Sequence, residues 1–251
     1  NKDALLVAFG GGCVIDAVKM ISNDLNLSYI TAPSTLSNDA IYSPIARLVQ
    51  NGKKQSFGVK APLGIIADIE IIRRSPRKLL LAGVGDLVSN ASAVKDWRLA
   101  NAEKGEYINN FALTLATLSG NSVMSYTIDD IGTNRFIGDL ANGLVISGLA
   151  MVLANSSRPA SGGEHLVSHA IDDLYPMRTT LHGLQVAWGH LLLERDYRQD
   201  DDDFEKLRLF FDRMKITDEL EHDLHFSSDE IARIIARAKT IRDRYTILSK
   251  F

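Results

Sequence analysis

The stretch Ala-Leu-Leu-Val-Ala-Phe-Gly-Gly-Gly-Cys-Val-Ile-Asp-Ala-Val-Lys, residues 4–19, joins an apolar run, three glycines and a helical pattern. The uninterrupted apolar run 4–9 predicts a parallel β-strand that is covered on both faces. The glycines 10–12 predict a tight turn, and apolar residues then recur at helical spacing as far as Ile21. A strand, a glycine turn and a helix in this order are typical of an α/β fold.

The next segments continue the alternation of strands and loops. Residues 28–32 and 63–67 predict a second strand and a third, buried strand. Between them, residues 46–50 and 55–59 flank Asn51-Gly52, which is the strongest short signal for a β-hairpin. Residues 1–75 therefore predict an α/β part with an incomplete, Rossmann-like parallel sheet.

The pattern changes after Pro76 and becomes helical almost throughout. Apolar residues recur every three or four positions in the segments 78–104, 106–119, 136–154, 164–174, 181–197, 203–214 and 228–248. The sequence Ser227-Ser228-Asp229-Glu230 predicts the start of the last helix. We predict an all-helical C-terminal domain over residues 76–251, with a ligand in the cleft between the two parts.

Composition narrows the class of protein. The chain has 251 residues, 45% of them hydrophobic, and a net charge of −3, so it carries no basic surplus that would favour nucleic acid. The single cysteine, Cys13, cannot form an internal disulfide, which fits a reducing compartment, and we expect a cytoplasmic protein. No run of ~18 apolar residues is present, so no membrane span is expected. Because a strand begins almost at Asn1, we expect further sequence ahead of it.

Two loops are candidate ligand sites in the first part. Glycines between a strand and a helix let backbone N–H groups approach a phosphate, although such turns are equally often only tight turns. The hydroxyl-rich segment 31–44 follows a strand, where open α/β sheets bind ligands, but it also has the composition of a surface loop. Asp16 can be a packing residue or a ligand contact, and Cys13 has no base near it in sequence that would make it a nucleophile.

A metal site is the sharpest hypothesis for the helical part. His165 and His169 are four residues apart on one predicted helix face, and His182 starts the next helix. Asp86 lies in an apolar helix, where an unpaired carboxylate is costly unless a cation offsets it. Two imidazoles and one carboxylate form a common catalytic ligand set, because they leave a coordination position free. Glu164 is expected to point away from the site, since neighbours on a helix do not share a face.

Several segments together resemble the sn-glycerol-1-phosphate dehydrogenases, which belong to the dehydroquinate-synthase-like and iron-containing alcohol dehydrogenase superfamily. The matching segments, in the family's order, are Gly-Gly-Gly-x-x-Ile-Asp-x-x-Lys (10–19), Ser-Asn-Asp-Ala-Ile-Tyr-Ser-Pro (37–44), Gly-Asp-Leu-Val-Ser (85–89), Ala-Val-Lys-Asp-Trp (93–97), Ser-Arg-Pro-Ala-Ser-Gly-Gly-Glu-His-Leu-Val-Ser-His-Ala-Ile-Asp (157–172) and His-Gly-Leu-Gln-Val (182–186). Ala40 replaces the family's usual Gly, and Gly163 its common Ser. The family's preceding strand–helix units are not in this sequence, so weak cofactor binding is expected.

The resemblance implies a role for each candidate residue. Asp86, His165 and His182 would be metal ligands, and Asp39, Asp86 and His169 would contact substrate, so that the catalytic group comprises Asp86, His165, His182 and His169. Cofactor contacts would be Gly11, Gly12, Cys13, Val14, Ile15, Ser34, Thr35, Leu36, Ser37 and Ser43.

The implied reaction is the reversible, NAD- or NADP-linked reduction of dihydroxyacetone phosphate to glycerol 1-phosphate. The metal is expected to be zinc, with nickel or iron as alternatives that the same ligands suit. A phosphorylated polyol or ketone is the expected partner, and a homo-oligomer is expected from the apolar helices. The alternatives are a dehydrogenase of unphosphorylated polyols, such as glycerol, and a catalytically incomplete metal-binding fragment. A dehydroquinate synthase would be expected to have Glu in place of Asp86.

Overall fold

The structure, a computed structural model, describes residues 4–50 and 52–251, and a small α/β part precedes a mostly helical remainder. The strands are β1 (Leu5–Gly10), β2 (Ser28–Pro33), β3 (Ile45–Gln50) and β4 (Lys53–Gly58). The helices are α1 (Gly12–Leu25), α2 (Ile69–Arg73), α3 (Arg77–Val88), α4 (Asn90–Lys104), α5 (Asn110–Asn121), α6 (Asn134–Ala154), α7 (Gly163–Leu174), α8 (His182–Leu193), α9 (Asp201–Arg213), α10 (Ile216–Asp223) and α11 (Ser228–Ile241). The predicted class, an α/β part followed by helices, is confirmed.

The parallel sheet is smaller than predicted. β1 and β2 pair in parallel from Leu5↔Ser28 to Gly10↔Pro33, and α1 connects them. The predicted third strand is only partly formed. Residues 63–66 run parallel to β2 and share three backbone hydrogen bonds with Tyr29 and Thr31, but they form a single isolated bridge, between Thr31 and Ile65, and no regular strand. Leu63 and Ile66 are 73% and 59% exposed, so the apolar composition there does not reflect burial.

One face of β1 is also more exposed than predicted. Leu5, Val7 and Phe9 are 51%, 56% and 59% exposed, whereas Ala8 is fully buried. The residues of a strand alternate between its two faces, so one face packs on the core and the other does not. The prediction of a strand covered on both faces is therefore wrong for the described residues.

The β-hairpin forms in the predicted place with shifted bounds. β3 and β4 are antiparallel and in register from Ile45↔Gly58 to Gln50↔Lys53. The loop therefore has two residues, as the Asn-Gly signal predicts, and Gly52 has a positive φ of 75° that glycine accepts without strain. Asn51 lies outside the described residues. The hairpin packs beside α1, on the edge of the candidate site.

Two of the predicted helices differ most from the structure in extent, and α2 and α10 were not predicted. The segment predicted as one helix, 78–104, is two helices, because α3 ends at Val88 and α4 begins at Asn90. At the break, the hydroxyl of Ser89 donates to the carbonyl of Asp86 at 2.6 Å, which competes with the helical hydrogen bond. The last helix begins at the predicted capping box of Ser227 and Glu230, but it ends at Ile241 because Arg242 is extended.

Close contacts between backbones hold the two parts together. A Cβ on Gly83 of α3 would lie 1.8 Å from the carbonyl oxygen of Leu36, and one on Gly183 of α8 would lie 1.9 Å from that of Ala82. Leu36 is fully buried in the same hydrophobic cluster as residues of α3, α6 and α8. The loop after β2 therefore packs directly on α3, and α3 packs directly on α8. The boundary at 75/76 stays a prediction, since one core spans it.

The helix α6 has the length and composition of a membrane span. It has 21 residues, and its most apolar 18-residue window has a mean hydropathy of 1.8. Half of that window is buried inside the protein, where Phe136, Ile137, Leu140 and Leu144 join the main hydrophobic cluster. The core helix of a soluble protein has the same properties, so α6 is weak evidence for a membrane span.

A buried ionic network surrounds the end of α8. Glu194, whose side chain is 1% exposed, lies 2.8 Å from the Lys95 ammonium, 3.3 Å from the Arg198 guanidinium and 3.4 Å from Nε2 of His190. Burial alone would raise the pKa of Glu194, but the hydrogen bond from His190 and the nearby Arg198 charge outweigh it and lower this pKa to about 2. A lowered carboxyl pKa means that the ionised form stabilises the fold.

We therefore expect Glu194→Gln to lower the free energy of unfolding by roughly 3 kcal/mol at pH 7, an order-of-magnitude value. The stabilising contribution is complete above the ordinary carboxyl pKa of 4.5 and is lost as the pH falls towards about 2. The difference between wild type and variant should thus shrink between pH 5 and pH 3. Urea unfolding across this range measures it, with Glu221→Gln on the surface of α10 as control. A difference independent of pH would contradict the prediction.

Candidate metal centre and active site

Three side chains from three helices converge at one point. Single ligand atoms of Asp86, His165 and His182 all lie within 4.8 Å of one another. Asp86 Oδ1 is 3.7 Å from His165 Nε2 and 3.8 Å from His182 Nε2. A zinc ion about 2.1 Å from each of its ligands holds tetrahedral donors roughly 3.4 Å apart. The observed spacing therefore suits one metal ion with little rearrangement.

The helix packing explains the convergence. Asp86 lies in the last turn of α3, His165 in the first turn of α7, and His182 is the first residue of α8. α8 packs against both α3 and α7, with glycines at the closest approach to α3. The three side chains are far apart in sequence, and only this packing brings them together.

The carboxylate of Asp86 has an oxygen that lacks a partner. Oδ2 accepts a hydrogen bond from the backbone N–H of Asp39 at 2.9 Å, whereas Oδ1 is buried with no hydrogen-bond partner among the described residues. Burial, followed by the nearby Asp39 carboxylate, raises the pKa of Asp86 to about 7. A bound cation would pair with the buried oxygen and would offset the repulsion between the two carboxylates. The residues present therefore fit a divalent metal.

Each imidazole is oriented through its other nitrogen. His165 Nδ1 lies 3.0 Å from Glu164 Oε1, and His182 Nδ1 lies 3.1 Å from Ser168 Oγ. Both rings thereby present Nε2 to Asp86, which is the usual arrangement of histidine ligands. Burial lowers the pKa of His182 well below its ordinary value, followed by the charges of His165 and Arg47, so this ring is neutral at pH 7 and can donate its lone pair.

The expectation that Glu164 points away from the site is wrong. Its side chain is fully buried, and Oε1 also accepts from the backbone N–H of Gly162 at 2.6 Å, while Oε2 accepts from Ser92 Oγ at 2.7 Å. Glu164 lies in the first turn of α7, where free backbone N–H groups draw a carboxylate back towards the helix start. The Glu164 side chain therefore reaches the imidazole of His165, although neighbouring residues on a helix do not normally share a face.

His169 is buried one helical turn beyond His165, and its ring centroid lies 6.2 Å from that of His182. Burial, followed by the charges of Arg47 and Arg242, lowers its pKa well below the ordinary value, so the ring is neutral at pH 7. The structure places it beside the three-residue cluster rather than within it. The backbone N–H of Asp39 bonds to Asp86, so the two predicted substrate residues outside the cluster, Asp39 and His169, both border it.

The predicted cofactor residues form two adjoining segments. Gly11 is the N-cap of α1, and a Cβ there would lie 3.6 Å from Thr35 Cγ2, so the helix start and the loop after β2 are side by side. Thr35 Oγ1 is buried with no hydrogen-bond partner among the described residues, as expected of a group that a ligand would satisfy. Backbone N–H groups at the start of α1 suit a phosphate.

Not every predicted cofactor residue is free to offer its side chain. Ile15 and Leu36 are fully buried in the hydrophobic cluster, so they could contribute only backbone atoms. Ser43 Oγ accepts from the buried ammonium of Lys19 at 3.1 Å. Asp16 pairs with the same ammonium at 3.0 Å, which supports its packing interpretation. Cys13 is exposed.

Sequence reasoning also missed three cations beside His169. Arg47, Lys54 and Arg242 come from β3, β4 and the segment after α11, and all line a cavity that His169 borders. No motif marks them, because each is an ordinary surface-type residue in its own segment. They become a group only in the folded chain.

Comparison with known proteins identifies relatives over nearly the whole chain. The family model described as iron-containing alcohol dehydrogenase matches residues 1–76. The chain is 38% identical over 248 residues to the glycerol-1-phosphate dehydrogenase [NAD(P)+] of Pyrococcus horikoshii, covering 97% of this chain and 70% of that protein. It is 37% identical over 250 residues to the enzyme of the same name from Methanococcus maripaludis, covering 97% and 73%.

Solved structures agree on the fold. A probable glycerol dehydrogenase from Sinorhizobium meliloti superposes with a TM-score of 0.79 at 20% identity, over 97% of this chain and 71% of that one. The sulfoacetaldehyde reductase from Bifidobacterium kashiwanohense, solved in complex with NAD+, gives a TM-score of 0.73 at 17% identity, over 96% and 70%. At such identities the likeness concerns the fold alone. The identity to the curated relatives decides the family: this chain belongs to the glycerol-1-phosphate dehydrogenases.

Proposed function

We propose that this protein catalyses the reversible, NAD(P)-linked and metal-dependent reduction of dihydroxyacetone phosphate to sn-glycerol 1-phosphate. The observation that carries the proposal is the convergence of Asp86, His165 and His182 around the unpartnered oxygen of Asp86, with His169 beside them. The relatives that share 37–38% identity with the chain bear the name glycerol-1-phosphate dehydrogenase [NAD(P)+], which supports the substrate and the cofactor.

Asp86, His165 and His182 would hold the divalent ion, and zinc is our choice of metal, with nickel or iron accepted by the same ligands. When bound, the ion acts as a Lewis acid that polarises the substrate carbonyl and stabilises negative charge on its oxygen. Glu164 and Ser168 fix the two imidazoles so that Nε2 of each faces the site.

His169 and Asp39 would hold the substrate next to this centre. His169 is neutral at pH 7, because burial and neighbouring arginines lower its pKa, so it can both donate and accept a hydrogen bond. We assign it the orientation of the substrate and the relay of the proton that the product hydroxyl gains. Ser92 Oγ donates to Glu164 and accepts from Arg198, so this chain of hydrogen bonds helps to position Glu164 and, through it, the ring of His165.

The nicotinamide cofactor would lie along the start of α1 and the loop after β2, and it would supply the hydride. Gly11, Gly12, Cys13, Val14 and Ile15 would offer the helix start, and Ser34, Thr35, Leu36, Ser37 and Ser43 the loop. The same loop carries Asp39, whose N–H binds Asp86, so it links the cofactor segment to the metal segment. A homo-oligomer, a cytoplasmic location and the division into residues 1–75 and 76–251 remain predictions.

Metal removal tests the proposal. We expect the protein with bound zinc to reduce dihydroxyacetone phosphate, to lose at least about 100-fold in turnover after chelation, and to recover when zinc is returned. A substrate panel must include dihydroxyacetone and glycerol, since a preference for the unphosphorylated compounds would favour the polyol dehydrogenase instead. Titration by nicotinamide fluorescence completes the test, because metal binding without cofactor binding would indicate a non-catalytic metal-binding protein.

A further inference from the structure

A cavity of about 700 Å³ opens beside His169, and the metal ligands and the cofactor segments do not account for it. The hairpin β3–β4 forms one wall, and the end of α7 together with the end of α11 forms the other. We call it the cationic cavity and define it by Arg47, Lys54, Ser56, Asp172 and Arg242, which all line it.

The cationic cavity carries an excess of positive charge. Asp172 is its central carboxylate, and it binds Arg47 Nη2 at 2.9 Å and Lys54 Nζ at 2.8 Å. Arg242 has no carboxylate partner among the described residues. Three cations against one carboxylate leave a formal charge of +2. Arg237 and Asp173 on the rim pair with each other at 2.6 Å and add nothing to this balance.

The two guanidinium groups also have hydrogen-bond donors to spare. Arg47 Nε is buried and has no hydrogen-bond partner among the residues described. Arg242 donates from one nitrogen to Ser56 Oγ at 3.0 Å, and the same oxygen receives a long bond of 3.4 Å from Arg47 Nη1. A guanidinium has five N–H donors in a planar fork. Burial, followed by repulsion from Arg47, lowers the pKa of Arg242, so a bound anion would relieve both effects.

The position of the cavity relates it to the reaction. His169 borders both the cavity and the ligand cluster, and its ring lies 6.4 Å from that of His165. In a three-carbon ketose phosphate, the phosphate is only one carbon away from the carbonyl. A substrate whose carbonyl lies at the ligand cluster must therefore place its phosphate in the space adjacent to that cluster. The start of α1, where we place the cofactor phosphates, does not line this cavity.

We propose that the cationic cavity binds the phosphate monoester dianion of the substrate and that Arg242 is the residue that makes the enzyme select phosphorylated over unphosphorylated substrates. A phosphate monoester carries between about −1.5 and −2 charges at pH 7, which matches the charge of the cavity. Arginine forks bind such groups with two parallel hydrogen bonds. This inference rests on the proposed function and assigns a specificity residue to it.

The test compares Arg242→Gln with wild type in the metal-loaded protein. Loss of one charged hydrogen-bonding partner should raise KM for dihydroxyacetone phosphate by about 10- to 100-fold. The inhibition constant of inorganic phosphate should rise by a similar factor, whereas kcat/KM for unphosphorylated dihydroxyacetone should stay within about 2-fold, as for a residue that contacts only the phosphate. Arg242→Lys keeps the charge but loses the planar guanidinium, so its KM and its inhibition constant for phosphate should lie between those of wild type and Arg242→Gln. Arg233→Gln, on the exposed side of α11, is the matched control.

The other outcomes separate the possible failures. An unchanged KM and phosphate inhibition in Arg242→Gln, in an enzyme that is active as wild type, overturns the inference and leaves the proposed function standing. A rise in KM for NADPH alone would show that the cavity holds the 2′-phosphate of that cofactor and would overturn it too. Wild type that reduces no phosphorylated ketone refutes the proposed function itself. If Arg242→Gln does not fold, Lys54→Gln, at a half-exposed position on the same cavity, must show the same selective loss.

Discussion

Asp86→Asn should abolish tight metal binding, with a loss in affinity of at least about 100-fold, and should lower turnover by about 1,000-fold or more. The substitution keeps the shape of the side chain but removes the one negative charge of the three-residue cluster. It also converts the unpartnered Oδ1 atom into part of a neutral amide, which is a poor ligand for a transition metal. Equilibrium dialysis measures the affinity, and Asp24→Asn on the exposed surface of α1 is the control.

In the absence of metal, Asp86→Asn should instead reduce the loss of stability that a rise in pH causes in the wild type. Because the pKa of Asp86 is raised to about 7 in the fold, the unfolded chain releases this proton at a lower pH than the folded chain does. The metal-free wild type should therefore lose stability as the pH rises from about 4 to about 7, and Asp86→Asn should lose less. Urea unfolding of both chelated proteins at pH 5 and pH 7.5 compares them. Full metal affinity in the variant would refute the ligand assignment.

Gly183→Ala should destabilise the protein by about 3 kcal/mol and release the metal as well. The added Cβ would lie 1.9 Å from the carbonyl oxygen of Ala82 and 2.6 Å from its carbonyl carbon, so α8 and α3 must move apart. The end of a flexible side chain could move aside, but the backbone atoms of a packed helix cannot. His182 precedes this residue and Asp86 lies on the opposing helix, so the separation would widen the cluster.

Gly138→Ala in α6 is the matched control for this prediction. Nothing lies within 4 Å of a Cβ at Gly138, and the residue is in a helix interior. Alanine there should stabilise the protein by about 0.5–1 kcal/mol through its higher helix propensity. Denaturant unfolding and metal content should be measured for both variants. Equal stability of Gly183→Ala and wild type would show that the two helices are not as close as described.

Local patterns in the sequence predict most of the secondary structure, and the errors have physical causes. The strand–glycine–helix unit and the Asn-Gly hairpin were predictable because their signals lie within a few residues of one another. Residues 63–67 were only partly predictable, since an apolar run alone cannot distinguish a buried strand from an exposed segment that bonds to β2 over only a few residues. The break at Ser89 coincides with a side-chain hydrogen bond to the carbonyl of Asp86, inside an otherwise continuous apolar pattern.

The candidate site divides in a similar way. The sequence indicates His165, His169 and His182 because histidines suit a metal, and Asp86 because a carboxylate in an apolar helix needs a cation. The family resemblance then assigns His169 to the substrate instead of the metal. The role of Glu164 depends on how the start of α7 folds back on itself, so a rule about helix faces could not predict it. The cationic cavity combines the hairpin with a segment near residue 242, almost 200 residues away, and no pattern within either one marks it.

The sequence by itself determined most of the segments that are helices and strands, which side chains can bind a metal, and to which family the chain is related. These properties depend on residue type and on short-range spacing. Only the tertiary structure decided that an oxygen of Asp86 lacks a partner, that Glu164 holds His165, and that Arg242 donates to Ser56 in the wall of a cavity next to His169. Such contacts join residues that are distant along the chain, and they arise from the way that α3, α7 and α8 pack around glycines too small to hold them apart.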